Sequence, residues 1–254
     1  MERQNDALEE LRRLGFRTPA EALRALLSQL TKSRASPIET CEKLVESEWR
    51  ARAAKNLARR TRLATLGTFK LLDAFDWNHP KSIDRPLYEE LHGLDFVDTG
   101  ENVLLRGSSG LGKTMLAQNL GLAALTKGKT VLFTSLSWAL ADLLKQESIP
   151  AFERRLRRYV TPDLLLIDEI GYVPCDSRAA DLLYNIISRR HEKRSTVITT
   201  NLAFKQWGTI FPGAACVVAL VDRFTQHCRV IDIEGESWRQ KEPTEKSQTR
   251  KPKR

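Results

Sequence analysis

Gly107-Ser108-Ser109-Gly110-Leu111-Gly112-Lys113-Thr114 decides how the rest of the chain is read. It satisfies G-x-x-x-x-G-K-[ST] at every fixed position. The apolar stretch 102–106 before it reads as a strand, and a helix from about Lys113 to Thr126 follows. Such a loop binds phosphate. Its glycines let the backbone N–H groups of residues 107–112 curl around phosphate oxygens, and the helix N-terminus adds positive partial charge. Lys113 supplies a point charge for the β- and γ-phosphates, and the Thr114 hydroxyl is a ligand for Mg²⁺.

Downstream, Leu164-Leu165-Leu166-Ile167-Asp168-Glu169 is an apolar strand ending in two acids. Ligands of a parallel sheet sit at the carboxyl ends of its strands. Asp168 is therefore placed to hold Mg²⁺ through water, and Glu169 to orient or deprotonate an attacking water. Val197-Ile198-Thr199-Thr200-Asn201 is a β-branched strand ending in an amide. Asn201 would reach the γ-phosphate or the water. It is equally suited to cap a helix over 202–207, and Thr200 is open to either role.

Strands at 102–106, 130–135, 164–168, 196–200 and 230–234 alternate with helices, which predicts an α/β domain with a five-stranded parallel sheet. Residues 1–75 read as all-helical. A glycine stop at Gly15 ends a first helix. Thr18-Pro19-Ala20-Glu21 starts a second, with Thr18 as a possible N-cap. Ser36-Pro37-Ile38-Glu39 starts a third that runs to about Leu63, with Leu44, Val45, Trp49, Ala53 and Leu57 as its apolar face. The turn-rich stretch 75–80 divides this helical region from a core at 76–240. Residues 241–254 are polar and basic and read as a disordered tail.

The net charge of +9 favours a polyanionic partner, nucleic acid before membrane. Apolar runs such as Leu164–Ile167 fall far short of the ~20 residues of a membrane span, and the acidic, polar N-terminus is no signal peptide. Cys41, Cys175, Cys216 and Cys228 lie far apart, which fits a reduced, cytoplasmic setting rather than a zinc or disulfide framework. Two late arginines, Arg223 in Asp222-Arg223-Phe224 and Arg239 in Ser237-Trp238-Arg239, are candidates to neutralise a phosphoryl transition state.

The order of the phosphate loop, LLLIDE, ITTN, DRF and SWR resembles the IstB-like ATPases, transposition helpers related to the DnaC helicase loaders. Ile83-Asp84-Arg85, Gly171-Tyr172-Val173-Pro174 and Arg189-Arg190-His191-Glu192-Lys193-Arg194-Ser195 belong to the same pattern. The resemblance covers nearly the whole chain. It implies an ATP-binding, Mg²⁺-dependent ATPase of the AAA+ type, lidless at its C-terminus. Arg223 then matches an arginine finger acting in trans, hence a homo-oligomer, with Arg189 or Arg190 as a substitute. Arg239 matches an arginine contacting its own nucleotide.

The implied partners are double-stranded DNA and a cognate transposase. Two basic helices are the expected DNA contacts: Arg50, Arg52, Lys55, Arg59, Arg60 and Arg62, with Arg52, Lys55, Arg59 and Arg62 on one face, and Arg154, Arg155, Arg157 and Arg158. Such contacts read phosphates rather than bases. The N-terminal leucines would pack internally or on the transposase. Three other readings stay open: a DnaC-type helicase loader, a small-molecule kinase, and a nucleotide-gated DNA-binding module without turnover.

Overall fold

A computed structural model describes residues 2–171, 177–213 and 215–239. The 241–254 tail, the C-terminal stretch on which the lidless expectation bears, and Tyr172, Val173, Pro174 and Cys175 lie outside these residues. The chain divides into two compact units, Met1–Arg60 and Thr61–Arg254.

The first unit holds α1 (Glu2–Arg13), α2 (Ala20–Lys32) and most of α3 (Pro37–Ala64). Gly15 ends the first helix in a left-handed conformation, φ +90°. Leu8, Leu23 and Leu30 are buried as their spacing predicts. Two expectations fail here. Thr18 does not cap α2, since Pro19 holds the N-cap position and no side chain bonds there. Its hydroxyl instead donates to Glu48 of α3, which also accepts the Arg17 and Thr18 backbone N–H groups at 2.7 and 3.0 Å. A buried carboxylate that collects these three donors, and Arg52 as a fourth, outcompetes a cap. Nor is the apolar face of α3 buried, with Val45 and Trp49 51% and 70% exposed. The chain around Gly15–Thr18 packs on the Glu48 side of α3 instead.

The second unit runs β1 (Ser82–Ile83), α4 (Arg85–His92), α5 (Asp95–Thr99), β2 (Asn102–Gly107), α6 (Lys113–Thr126), β3 (Val131–Ser135), α7 (Leu136–Leu144), α8 (Ile149–Val160), β4 (Leu164–Ile170), α9 (Ser177–Arg190), β5 (Ser195–Thr200), α10 (Trp207–Ile210), α11 (Val217–Thr225) and β6 (Cys228–Glu234). The strand order is β1-β6-β2-β5-β4-β3. Five strands are parallel, as expected. A two-residue strand, β1, adds antiparallel to β6 through Ser82↔Glu234 and Ile83↔Ile233. It is too short to show a period.

β5 is buried along its whole length, as befits a central strand covered on both faces. Leu104, Leu165, Ile167, Ile198, Trp207, Leu220 and Phe224 form the core beside it. Residues 61–75 pack with this second unit. Thr65 Oγ1 donates to the Phe133 carbonyl at 2.6 Å, and Gln118 Nε2 donates to the Leu66 carbonyl at 2.8 Å. No helix among the described residues is long and apolar enough to cross a membrane.

Candidate functional site

β2 delivers the chain to the loop at Gly107, and α6 leaves it at Lys113. Gly110 and Gly112 adopt φ of +80° and +81°, which L side chains rarely take. A Cβ on Gly112 would also stand 2.6 Å from Phe75 Cε2. Lys113 is 6% exposed, and its Nζ donates to the Gly107 and Ser108 carbonyls at 2.8 Å each. Burial pushes its pKa down and Arg239 adds to that, while Asp168 and Glu169 oppose it.

Asp168 and Glu169 part company at a break in the β4–β5 ladder. The register is Ile167↔Ile198 before the break and Ile170↔Thr200 after it. Asp168 stays buried and accepts from Thr114 Oγ1 at 3.0 Å and from Thr199 Oγ1. Glu169 has φ +63° and is exposed at the mouth of the site. A bulge of this kind re-aims a side chain out of the ladder. Non-glycine backbone in that region costs about 1–3 kcal/mol and collects at functional sites.

These residues border a cavity of about 440 Å³, within the range of small-molecule sites. Ser109 through Thr114, Glu169, Thr199 and Arg239 line it, with apolar walls at Phe69, Phe75 and Met115. Beside them, His79 Nε2 donates to the Glu236 carbonyl at 2.9 Å, and its ring meets Trp238 edge-on at 4.6 Å. The Trp238 backbone N–H donates to the Gly110 carbonyl at 3.0 Å, which stitches the Ser237-Trp238-Arg239 segment to the loop and brings Arg239 to the cavity. Sequence reading misses Phe69, Phe75, His79 and Thr199. Only the aromatic density of 75–79 hints at the first wall.

Other expected residues lie elsewhere. Asn201 is exposed beside Gly171 and does not line the cavity. It caps no helix: a short turn at Phe204–Gln206 has Ala203 at its N-cap position. Thr200 is structural, donating to the Ile170 carbonyl at 2.7 Å and accepting from the Leu202 N–H. Arg223 lies on α11 against α9. It donates to Ser188 Oγ and places its guanidinium 4.9 Å from the Tyr184 ring centre, away from its own cavity lining.

Its two substitutes differ. Arg189 makes a bidentate pair with Glu153. Arg190 is 1% exposed and donates to the carbonyls of Tyr159, Val160, Pro162, Asp163 and Ser195, so it cannot reach a neighbouring molecule.

The basic helices are partly spent internally. Arg155 binds the buried Asp142 through two nitrogens, and Tyr159 donates to the same carboxylate. Arg154 and Arg157 are exposed, and Arg158 is half-buried. On α3, Arg50 and Arg52 pair with Glu46 and Glu48 one turn back. Arg52 stays exposed on the four-cation face with its charge shared with Glu48; Lys55, Arg59 and Arg62 are exposed beside it, and Arg60 is half-buried.

The fold and this site define a P-loop ATP-binding protein of the AAA+ class. In architecture it is similar to a DnaI crystal structure, with a TM-score of 0.53 at 19% identity over 66% of this chain and 89% of that one. It is also similar to a DNA replication initiation factor, with a TM-score of 0.51 at 20% identity over 73% of this chain. The chain spans about half, 54%, of that second structure's length. The chain belongs to the IstB-like ATP binding protein family, whose model matches residues 9–247. The ATP-binding protein of insertion sequence IS21 from Pseudomonas aeruginosa is 37% identical over 218 residues, 86% of this chain and 82% of that protein.

Proposed function

We propose that this chain hydrolyses ATP with Mg²⁺ and serves as a cytoplasmic transposition helper that assembles on double-stranded DNA and recruits or activates a transposase. Hydrolysis then resets the assembly. The observation that carries the chemistry is the convergence of Lys113, Thr114, Asp168 and Glu169 at the carboxyl edge of one sheet.

The donors fit Mg²⁺. A hydroxyl and a carboxylate, both hard oxygen ligands, stand 3.0 Å apart at Thr114 and Asp168. Among the described residues no group of three His, Cys, Asp or Glu could hold a metal. That suits an ion bound by one or two protein oxygens and the nucleotide's phosphates. When bound, Mg²⁺ neutralises charge on the β- and γ-oxygens.

In this reading the loop amides and Lys113 hold the triphosphate. Thr114 would ligate the ion, and Asp168 would help to hold it. Glu169 orients the attacking water and takes its proton, with Asn201 swinging in toward the γ-phosphate. Arg239 contacts its own nucleotide. Arg223, turned away from its own cavity, serves a neighbouring copy, which makes the γ-phosphate an interfacial contact. Lys55, Arg59, Arg62, Arg154, Arg157 and Arg158 supply phosphate contacts to DNA. The helper role is supported by the relatives' place in insertion sequences.

Glu169→Gln tests the reaction. It is expected to bind labelled ATP like the wild type, to hydrolyse at least about 100-fold more slowly, and to stay on duplex DNA. Turnover at the wild-type rate would remove Glu169 from the chemistry.

A further inference from the structure

Thr199 bonds both Asp168 and the Glu169 backbone, and it belongs to the ITTN stretch rather than to the acidic one. It sits on β5, next to β4, and is 2% exposed. Its hydroxyl proton goes to Asp168 Oδ1. Its lone pair receives the backbone N–H of Glu169 at 3.0 Å. One hydroxyl can do both at once. The Glu169 N–H falls inside the ladder break, and the Thr199 side chain is its partner there. The bond therefore holds the residue whose φ is +63°.

We propose that Thr199 is a positioning residue that couples the metal-holding carboxylate to the water-orienting one. This rests on the hydrolytic reading above. A single hydroxyl fixes the rotamer of Asp168 and, through the Glu169 amide, the bulge that turns the Glu169 side chain toward the cavity. Thr114 also donates to Asp168, but in the reading above its hydroxyl would instead ligate the ion. Thr199 is then the donor that keeps Asp168 in register with Glu169. Displacing either carboxylate by an ångström is enough to lose most of the rate.

The test uses the full-length chain carrying Thr199→Val, which keeps the shape and removes the hydroxyl, and Thr199→Ser, which keeps the hydroxyl. Uptake of labelled ATP, steady-state hydrolysis on duplex DNA and thermal melting are measured for each. The valine variant is expected to keep KM within about threefold while kcat falls roughly 10–100-fold, and serine is expected to restore kcat. If valine yields no folded protein, Thr199→Cys, similar in size and a weak donor, replaces it with the same expectation.

Wild-type kcat in the valine variant overturns the inference. So does an equal loss in valine and serine that tracks a lowered melting temperature, because that marks a merely structural residue. A wild-type chain that binds ATP and never turns it over overturns the hydrolytic reading itself, and this coupling with it.

Discussion

Arg190 gives the sharpest contrast between a structural and a catalytic arginine. By sequence it sits in a cationic run and is interchangeable with a finger. In the structure its guanidinium closes the junction of α8, β4, α9 and β5. Three of its acceptors are wholly buried: the Tyr159 and Ser195 carbonyls and Thr196 Oγ1. Burial holds its pKa down at about 9, Arg194 adds to that, and Asp163 opposes it. It therefore stays protonated at neutral pH.

Arg190→Met keeps the apolar stem and removes every donor. Each orphaned buried acceptor costs about 1–2 kcal/mol, so the loss is about 4 kcal/mol. At roughly 2–4 °C per kcal/mol for a domain of this size, the melting temperature should fall by about 8–16 °C. Calorimetry or a denaturant titration reads this directly. The ATP turnover of whatever fraction remains folded, measured below the transition, should be close to wild type. A variant that melts like the wild type yet no longer hydrolyses ATP would refute the reasoning and return Arg190 to the catalytic candidates.

Gly112→Ala places a methyl against Phe75 at a φ of +81°, so its ATP affinity should drop about tenfold or more in a fluorescent-nucleotide titration. In the first unit, burial pushes the Glu48 carboxyl up. Hydrogen bonds from Arg52, the Thr18 and Arg17 amides and the Thr18 hydroxyl outweigh that and hold it at about 2. A depressed carboxyl pKa stabilises the folded state above its unfolded value, and that contribution is lost as the pH falls through the folded one. The gap in melting temperature between wild type and Glu48→Gln should thus be open at pH 7 and close between about pH 4.5 and 2. Finally, Arg154→Ala with Arg157→Ala should weaken duplex-DNA binding for all sequences alike and flatten its salt slope by about two counterions. An unchanged slope would take α8 out of the DNA-binding surface.

Local patterning carried much of this protein into view. The spacing of Gly107 to Thr114, the apolar run into Asp168 and the alternation of strand and helix are short-range features. Each follows from backbone geometry within a few residues of itself. For the same reason the sequence could give α3 almost to the residue, because its start signal and its length are local.

What it could not give depends on which distant segments meet. Whether Arg155, Arg189, Arg190 or Arg223 is spent inside the fold turns mostly on partners 13 to 36 residues away, and cations in a run look alike until those partners are known. The cap role assigned to Thr18 was lost to a carboxylate 30 residues downstream.

The same holds for the walls of the cavity. Residues 69–79 and 237–239 flank opposite ends of the second unit in sequence, and only closure of the sheet brings them to one loop. Sequence alone determined that this chain builds a phosphate loop facing an acidic strand end, because those motifs are self-contained. Tertiary structure alone decided how the acids are aimed and which cations remain free. The strain at Glu169 and the single hydroxyl beneath it arise where two strands fall out of step, and no single strand's sequence records its neighbour's register.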